Sequence, residues 1–202
     1  FLAVFKNYKS KEYKVFEFST FKDDRNDMIL FLTSNKIALA GYNSSGFDDQ
    51  LLYHIWKNPK DSCESYKEKA NEIVKSTWGI YPPWDIEKLI EQSIDLMEIL
   101  NLGVRGAKTT SLKLWEFNLR KKKIEDLPYP HYKLLESEKK IEKVVKYCKY
   151  DVDVTEEIFN LSKDQIRIRQ QFGKLSGLNH INDSEVRLSK RYITKLFLSL
   201  IH

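Results

Sequence analysis

The stretch Gly41-Tyr42-Asn43-Ser44-Ser45-Gly46-Phe47-Asp48 closes a short apolar run, residues 36–42. It opens a pattern carrying Leu51, Leu52, Ile55 and Trp56 at helical spacing. A brief apolar run ending at a glycine reads as a buried strand, and the spacing after Asp48 reads as an amphipathic helix. The loop between them then falls at the carboxyl edge of a sheet, where open α/β folds hold their ligands. Taken alone, Asp48 also reads as an ordinary helix N-cap.

Working outward, residues 1–5 and 13–18 are β-branched and aromatic-rich runs, with Asn7 and Ser10 as turn formers between them. They read as two hairpin strands. Residues 23–35 carry Met28, Ile29, Phe31 and Leu32 behind an acidic start and read as a short helix. On the other side, residues 66–78 read as a helix stopped by Pro82-Pro83, residues 84–92 as another, and residues 93–100 as a strand. Ser111 fits an N-cap for a helix over 112–119. Residues 135–159 read as one long helix with Ile141, Val144, Val145, Cys148, Val152, Thr155 and Phe159 on one face. The tail, residues 165–201, holds two amphipathic stretches broken near 173–183. Paired strands followed by interleaved helices predict an α/β domain, a mixed β-sheet flanked by helices.

Composition narrows the function classes. Of 202 residues, 42% are hydrophobic and 31% charged, enough apolar mass for a core, which excludes global disorder. The longest apolar stretches, near 28–32 and 196–201, fall far short of the ~20 residues a membrane helix needs. Cys63 and Cys148 are the only cysteines, which excludes a disulfide-stapled scaffold and an all-cysteine zinc site. His54, His131, His180 and His202 lack zinc-ligand spacing. A net charge of +5 permits a polyanionic partner without requiring one. Residues 1–5 lack the basic lead and cleavage site of a signal peptide, and no initiator Met precedes them, so the chain is expected to begin upstream of Phe1.

A second pattern, Tyr147-Cys148-Lys149-Tyr150-Asp151, lies inside the long helical segment. Tyr147 and Asp151 are four apart, so phenol and carboxylate share one helix face. Together, Asn43-x-x-x-Phe47-Asp48 and, about a hundred residues on, Tyr147-x-x-x-Asp151 resemble the second and third motifs of DEDD-type 3′–5′ exonucleases, in the tyrosine-bearing subclass. Ser111-Leu112-Lys113, Leu127-Pro128 and Asp151-Val152-Asp153-Val154-Thr155 resemble the proofreading exonuclease region of bacteriophage-type DNA polymerases. The resemblance covers about residues 1–160.

It implies a ribonuclease H-like (DnaQ-like) fold over residues 1–161, with 162–202 as a helical extension or a connection toward a polymerase. It implies two divalent ions, Mg²⁺ or Mn²⁺, with Asp48 and Asp151 among their ligands and Tyr147 orienting the attacking water. Asn43 and Phe47 would shape the pocket for the 3′ end of single-stranded DNA. The implied partner is a DNA polymerase module, in the same chain or another. The implied compartment is the cytoplasm, that of a host cell for a viral protein. Hard ions choose carboxylate oxygen and water, and a pair of them activates water and stabilises the departing 3′ oxygen.

One departure stands out. The family's first motif, Asp-x-Glu on the first strand, is absent where it belongs, because residues 1–5 and 13–18 match the second and third strands. Asp85-Ile86-Glu87 and Asp183-Ser184-Glu185 are literal triplets in the wrong places, each reading as a helix start. The chain alone is therefore expected to bind metal weakly and to be nearly inactive. The alternative is a catalytically silent module of the same fold with a nucleic-acid-binding or structural role. Asp49 and Asp153 read as solvated or as lying behind the site, and Asp95 as an acid at the opening of a strand. Residues 120–123 read as a solvated basic loop, Trp56, Trp78, Trp84 and Trp115 as packing residues, and neither cysteine as a reactive thiol.

Overall fold

Leu2–Lys6 (β1) pairs antiparallel with Tyr13–Glu17 (β2), Lys6 opposite Tyr13. Asn7 makes the turn: its Oδ1 accepts from the amides of Lys9 at 2.9 Å and Ser10 at 3.0 Å, and Lys11 takes a left-handed φ of 65°. The computed structural model describes residues 1–34, 36–76, 85–100, 110–130 and 135–201, with side chains through 198.

Arg25–Ser34 (α1) buries Met28 and Leu32 against this hairpin, where the rings of Phe5, Phe16 and Phe31 lie 5.5–6.0 Å apart. Ala38–Gly41 (β3) leads into Asp48–Lys57 (α2) and Cys63–Lys75 (α3). After a 3₁₀ turn at Ile86–Lys88, Gln92–Asp95 (β4) pairs parallel with β3, Gly41 opposite Asp95. Leu96–Leu100 (α4) follows at once. Leu112–Asn118 (α5) begins at Ser111, whose hydroxyl accepts from the Leu114 amide as the sequence predicts. Glu138–Leu161 (α6), Lys163–Ser176 (α7) and Glu185–Ile201 (α8) complete the chain.

The class is mixed α/β, as the alternation of patterns implies. Where the sequence suggested one mixed sheet, the described residues form two ladders, β1-β2 antiparallel and β3-β4 parallel. Both rest on α6. The hairpin is riveted to that helix by polar contacts: Lys6 Nζ lies 2.6 Å from both Asp153 and Glu156, and the Tyr8 hydroxyl donates to Asn160 at 2.7 Å.

Two apolar clusters hold the elements. One joins the hairpin, α1, α2 and α3 through Phe16, Phe18, Met28, Leu32, Ile55 and Tyr66. The other joins β4, α4, α6 and α7 through Ile94, Leu96, Ile99, Val154, Ile158 and Ile166, with Ile181. Each fully buried aliphatic side chain contributes about 1.5–3 kcal/mol before the entropy of ordering is subtracted. The first part of the tail therefore shares a core with the strand end.

Several boundaries differ from the sequence reading. The strand expected over 93–100 stops at Asp95, and the following apolar residues form α4. A short apolar run has no period of its own, so helix and strand are indistinguishable there. The helix expected over 84–92 is, where described, only the 3₁₀ turn. On α6 the buried residues are Ile141, Val154 and Ile158, so the face read from periodicity was rotated away from the true one. Trp78, Pro82, Pro83, Trp84, His131 and His202 lie outside the described residues. Among the described residues no helix is long and apolar enough to cross a membrane.

Candidate active site

The parallel pair β3-β4 ends in register, so the loops after Gly41 and Asp95 leave the same edge. This is the edge at which parallel sheets present ligand-binding groups. The loop 42–47 is tightly folded. Asn43 adopts a left-handed φ of 60°, and its carbonyl accepts from the Gly46 amide at 3.2 Å. A Cβ on Gly46 would sit 2.4 Å from Asn43 Oδ1, so glycine is required there for the Asn43 side chain to occupy its position.

Asp95 fastens this loop. It is fully buried; Oδ1 accepts from the amides of Asn43 and Met97 at 3.0 Å each, and Oδ2 from the amide of Ser45 at 3.0 Å and from its hydroxyl. The sequence reading placed this acid at the opening of a strand. It ends the strand instead, and one carboxylate binds the loop while receiving the Met97 amide in the first turn of α4. An acid immediately before an apolar helical turn is an N-cap signal that could have revealed it.

Asp48 is the first residue of α2, with Phe47 in the N-cap position and no side-chain cap bond, so the N-cap reading of Asp48 does not hold. Its surface is exposed, yet protein crowds its carboxylate, and with Asp49 and then Asp95 alongside its pKa is pushed up to about 7. Asp49, expected to be solvated or behind the site, is 1% exposed and accepts from the Ser93 hydroxyl at 2.6 Å. Burial raises its pKa to about 6 against the pull of that hydrogen bond. Asn43 is exposed, whereas Phe47 is half-buried and packs on the hairpin-side core.

Tyr147 and Asp151 face inward, on the same side of α6 as Val154 and Ile158, since positions 147, 151, 154 and 158 recur at helical spacing. The Tyr147 phenol and the Asp151 carboxylate lie near enough on that face for each to shift the other's protonation. Burial and that negative charge hold the phenol well above its usual value, so it stays protonated and can donate. Asp151 Oδ1 is buried and has no hydrogen-bond partner. Burial pushes the Asp151 pKa up to about 6; the Tyr147 phenol opposes this, and Glu116 adds to it. Glu116, which the sequence did not single out, is 1% exposed, with one carboxylate oxygen 3.1 Å from the Tyr150 hydroxyl.

Cys148 lies between Tyr147 and Asp151 on α6. Its thiol, raised to about 11 chiefly by burial, is pushed further by the charges of both Asp151 and Asp48. α6 packs against β3, the strand that leads into the Asn43–Asp48 loop.

Other acids are committed elsewhere. Asp153 accepts from Lys6 at 2.6 Å and from the Tyr13 hydroxyl. Asp85 pairs with Lys57 at 3.3 Å, and Asp183 is buried against His180 and Arg191. The aspartate of each literal Asp-x-Glu triplet is thus already paired.

The donor set suits a hard divalent ion in part. Carboxylate oxygens are the right chemistry, and the orphaned Asp151 Oδ1 is an acceptor without a donor. Among the described residues, however, no three His, Cys, Asp or Glu side chains sit close enough to hold a metal ion together. Compared with family models, curated proteins and solved structures, the chain matches none.

Proposed function

We propose that this chain is the greater part of a ribonuclease H-like 3′–5′ exonuclease of the tyrosine-bearing DEDD type, removing nucleotides from single-stranded DNA 3′ ends during replicative proofreading. The observation that carries the reading is Asp151 Oδ1, buried and unpartnered, on the face of α6 that also carries Tyr147. A buried acceptor left empty costs about 1–3 kcal/mol, which a bound ligand would recover.

Asp48 and Asp151 would hold divalent ions, Mg²⁺ or Mn²⁺, together with an Asp-x-Glu pair from outside this sequence. Such ions supply a nucleophilic water and neutralise the charge that develops on the leaving 3′ oxygen. Tyr147, kept protonated, donates its hydrogen bond and aligns that water with the scissile phosphate. Asn43, held in a left-handed turn by Gly46 and Asp95, offers an exposed amide side chain to the strand end. Phe47 stiffens the loop by packing inward. The two separate ladders that the described residues form on one helix, β1-β2 and β3-β4, are consistent with a sheet that takes a further strand carrying the missing pair. The proposed partner is a polymerase module, in this chain or another.

The test is digestion of 3′-labelled single-stranded DNA with Mg²⁺ or Mn²⁺, by these 202 residues and by a version extended upstream. Nucleoside monophosphates released by the extended protein alone are the expected result. An extended protein that carries Asp-x-Glu within about a dozen residues of Phe1 and leaves DNA intact would falsify the reading. A second reading, the catalytically silent module, is favoured by the lack of a three-ligand cluster among the described residues. It predicts DNA retention without cleavage in the same assay.

A further inference from the structure

The turn between α7 and α8 reaches back across the chain to the edge of β4. Asn182 Oδ1 accepts from the Asp95 amide at 2.8 Å, and Asn182 Nδ2 donates to the Ser93 carbonyl at 3.0 Å. A carbonyl at one residue and an amide two residues on are the pair that a parallel neighbouring strand engages. One asparagine side chain thus stands in for a strand.

The turn that carries Asn182 is braced by a buried polar cluster. Arg169, 2% exposed, donates to the carbonyls of Asp183 at 2.7 Å, Gln165 at 3.0 Å and Ile99 at 3.0 Å. Asp183 Oδ2 lies 2.6 Å from His180 Nδ1 and 2.7 Å from Arg191 Nη1, and His180 Nε2 lies 2.9 Å from Ser176 Oγ. The line of Ser176, His180 and Asp183 resembles a hydrolase triad in order. Its serine, though, is buried and donates to the Phe172 carbonyl at 2.8 Å, so it is a brace and not a nucleophile. Buried charges that are this fully satisfied admit few other arrangements of the turn.

The chain of contacts continues from Asn182 into the site. Asp95, held at its amide, uses its carboxylate to bind the amides of Asn43 and Ser45, in the loop that delivers Asp48. We propose that Asn182 is a positioning residue for the Asn43–Asp48 loop: by pinning β4 at Asp95 it fixes the carboxylate on which that loop is folded. The inference rests on the reading of the loop as the ion and strand-end site, and it makes residues 162–202 a support of that site.

Amide hydrogen exchange followed by NMR, without DNA, tests it on Asn182→Ala and Asn182→Asp. In Asn182→Ala the Asn43 and Ser45 amides should exchange about five- to tenfold faster, the loss of one or two hydrogen bonds, with the β1-β2 ladder unchanged. Asn182→Asp keeps the acceptor for the Asp95 amide but turns a carboxylate oxygen toward the Ser93 carbonyl, and should also accelerate the same two amides and not the β1-β2 ladder. Unchanged exchange at Asn43 and Ser45 in folded Asn182→Ala overturns the proposal. Equal acceleration throughout the β1-β2 ladder does so too, since Asn182 would then only stabilise the whole. Should Asn182→Ala not fold, the same two outcomes are read on Asn182→Asp. Because no nuclease step enters the readout, a chain that cleaves nothing can still pass or fail.

Discussion

On the hairpin side of α6, Asp153 accepts from Lys6 and Tyr13, and Glu156 from Lys6 and Lys11. Two residues before Asp153, on the side facing the strand ends, Asp151 keeps one oxygen buried with no partner. Both are aspartates on one helix, about 200° apart around its axis. The hairpin side saturates its acceptors and so holds two elements together. The strand-end side leaves acceptor capacity unused and carries acids with pKa values raised to about 6 and 7. Stability gains nothing from such acids, and perturbed carboxylates beside a sheet edge are the mark of a candidate site.

The sharpest way to break this contrast is to remove each aspartate from an upstream-extended, active protein. Asp151→Ala is expected to abolish 3′-end cleavage, a loss of at least about 1,000-fold, because the water is then neither generated nor placed. Asp153→Ala should leave cleavage within a few-fold of wild type. Equal losses from both variants would erase the distinction between the two sides.

Tyr147→Phe comes next. It keeps the ring and removes only the hydroxyl proposed to align the water, and should cost about 30- to 1,000-fold in single-turnover cleavage, with DNA binding retained. Wild-type rates would make Tyr147 a packing residue.

The hairpin side yields a stability effect. Asp153→Ala leaves Lys6 paired with Glu156 alone and should lower unfolding free energy by about 1–2 kcal/mol, read from denaturant midpoints. No change would mean the contact is as weak as an exposed ion pair.

The smallest expected effect depends on pH. Asp49 has a folded pKa of about 6 against an ordinary 3.8, so the folded state binds the proton more tightly than the unfolded state. Its share of stability is therefore greatest below pH 4 and is lost as pH rises through 6. Asp49→Asn should raise the melting temperature at pH 8, by the equivalent of about 1 kcal/mol, and leave it unchanged at pH 4. A gain at pH 4 as large as that at pH 8 would show that charge is not the cause.

Much was legible in the linear chain because it depends on neighbours in sequence. The hairpin followed from two β-rich runs around Asn7, α5 from its serine cap, and the shared face of Tyr147 and Asp151 from a spacing of four. The acid at position 95 was misjudged because a five-residue apolar run after it has no period to mark it as helix. Its role depends on amides fifty residues away. The rotation of α6 was misjudged for a related reason. Half-buried residues ring much of that helix, and only packing against β4 and α7 selects Val154 and Ile158 as the inner line.

What the sequence by itself determined is the chemistry on offer: two carboxylates, a phenol and a glycine-bearing loop, each on an element whose local signals are strong. Only the tertiary structure decided which acids are left unsatisfied. Lys6 and Tyr13 reach Asp153, and the Asn43 and Ser45 donors reach Asp95, through contacts between distant elements, while Met97 caps Asp95 and His180 and Arg191 hold Asp183 from nearby in the chain. A carboxylate's availability is set by the donors that folding brings to it, and those donors have no fixed spacing along the chain.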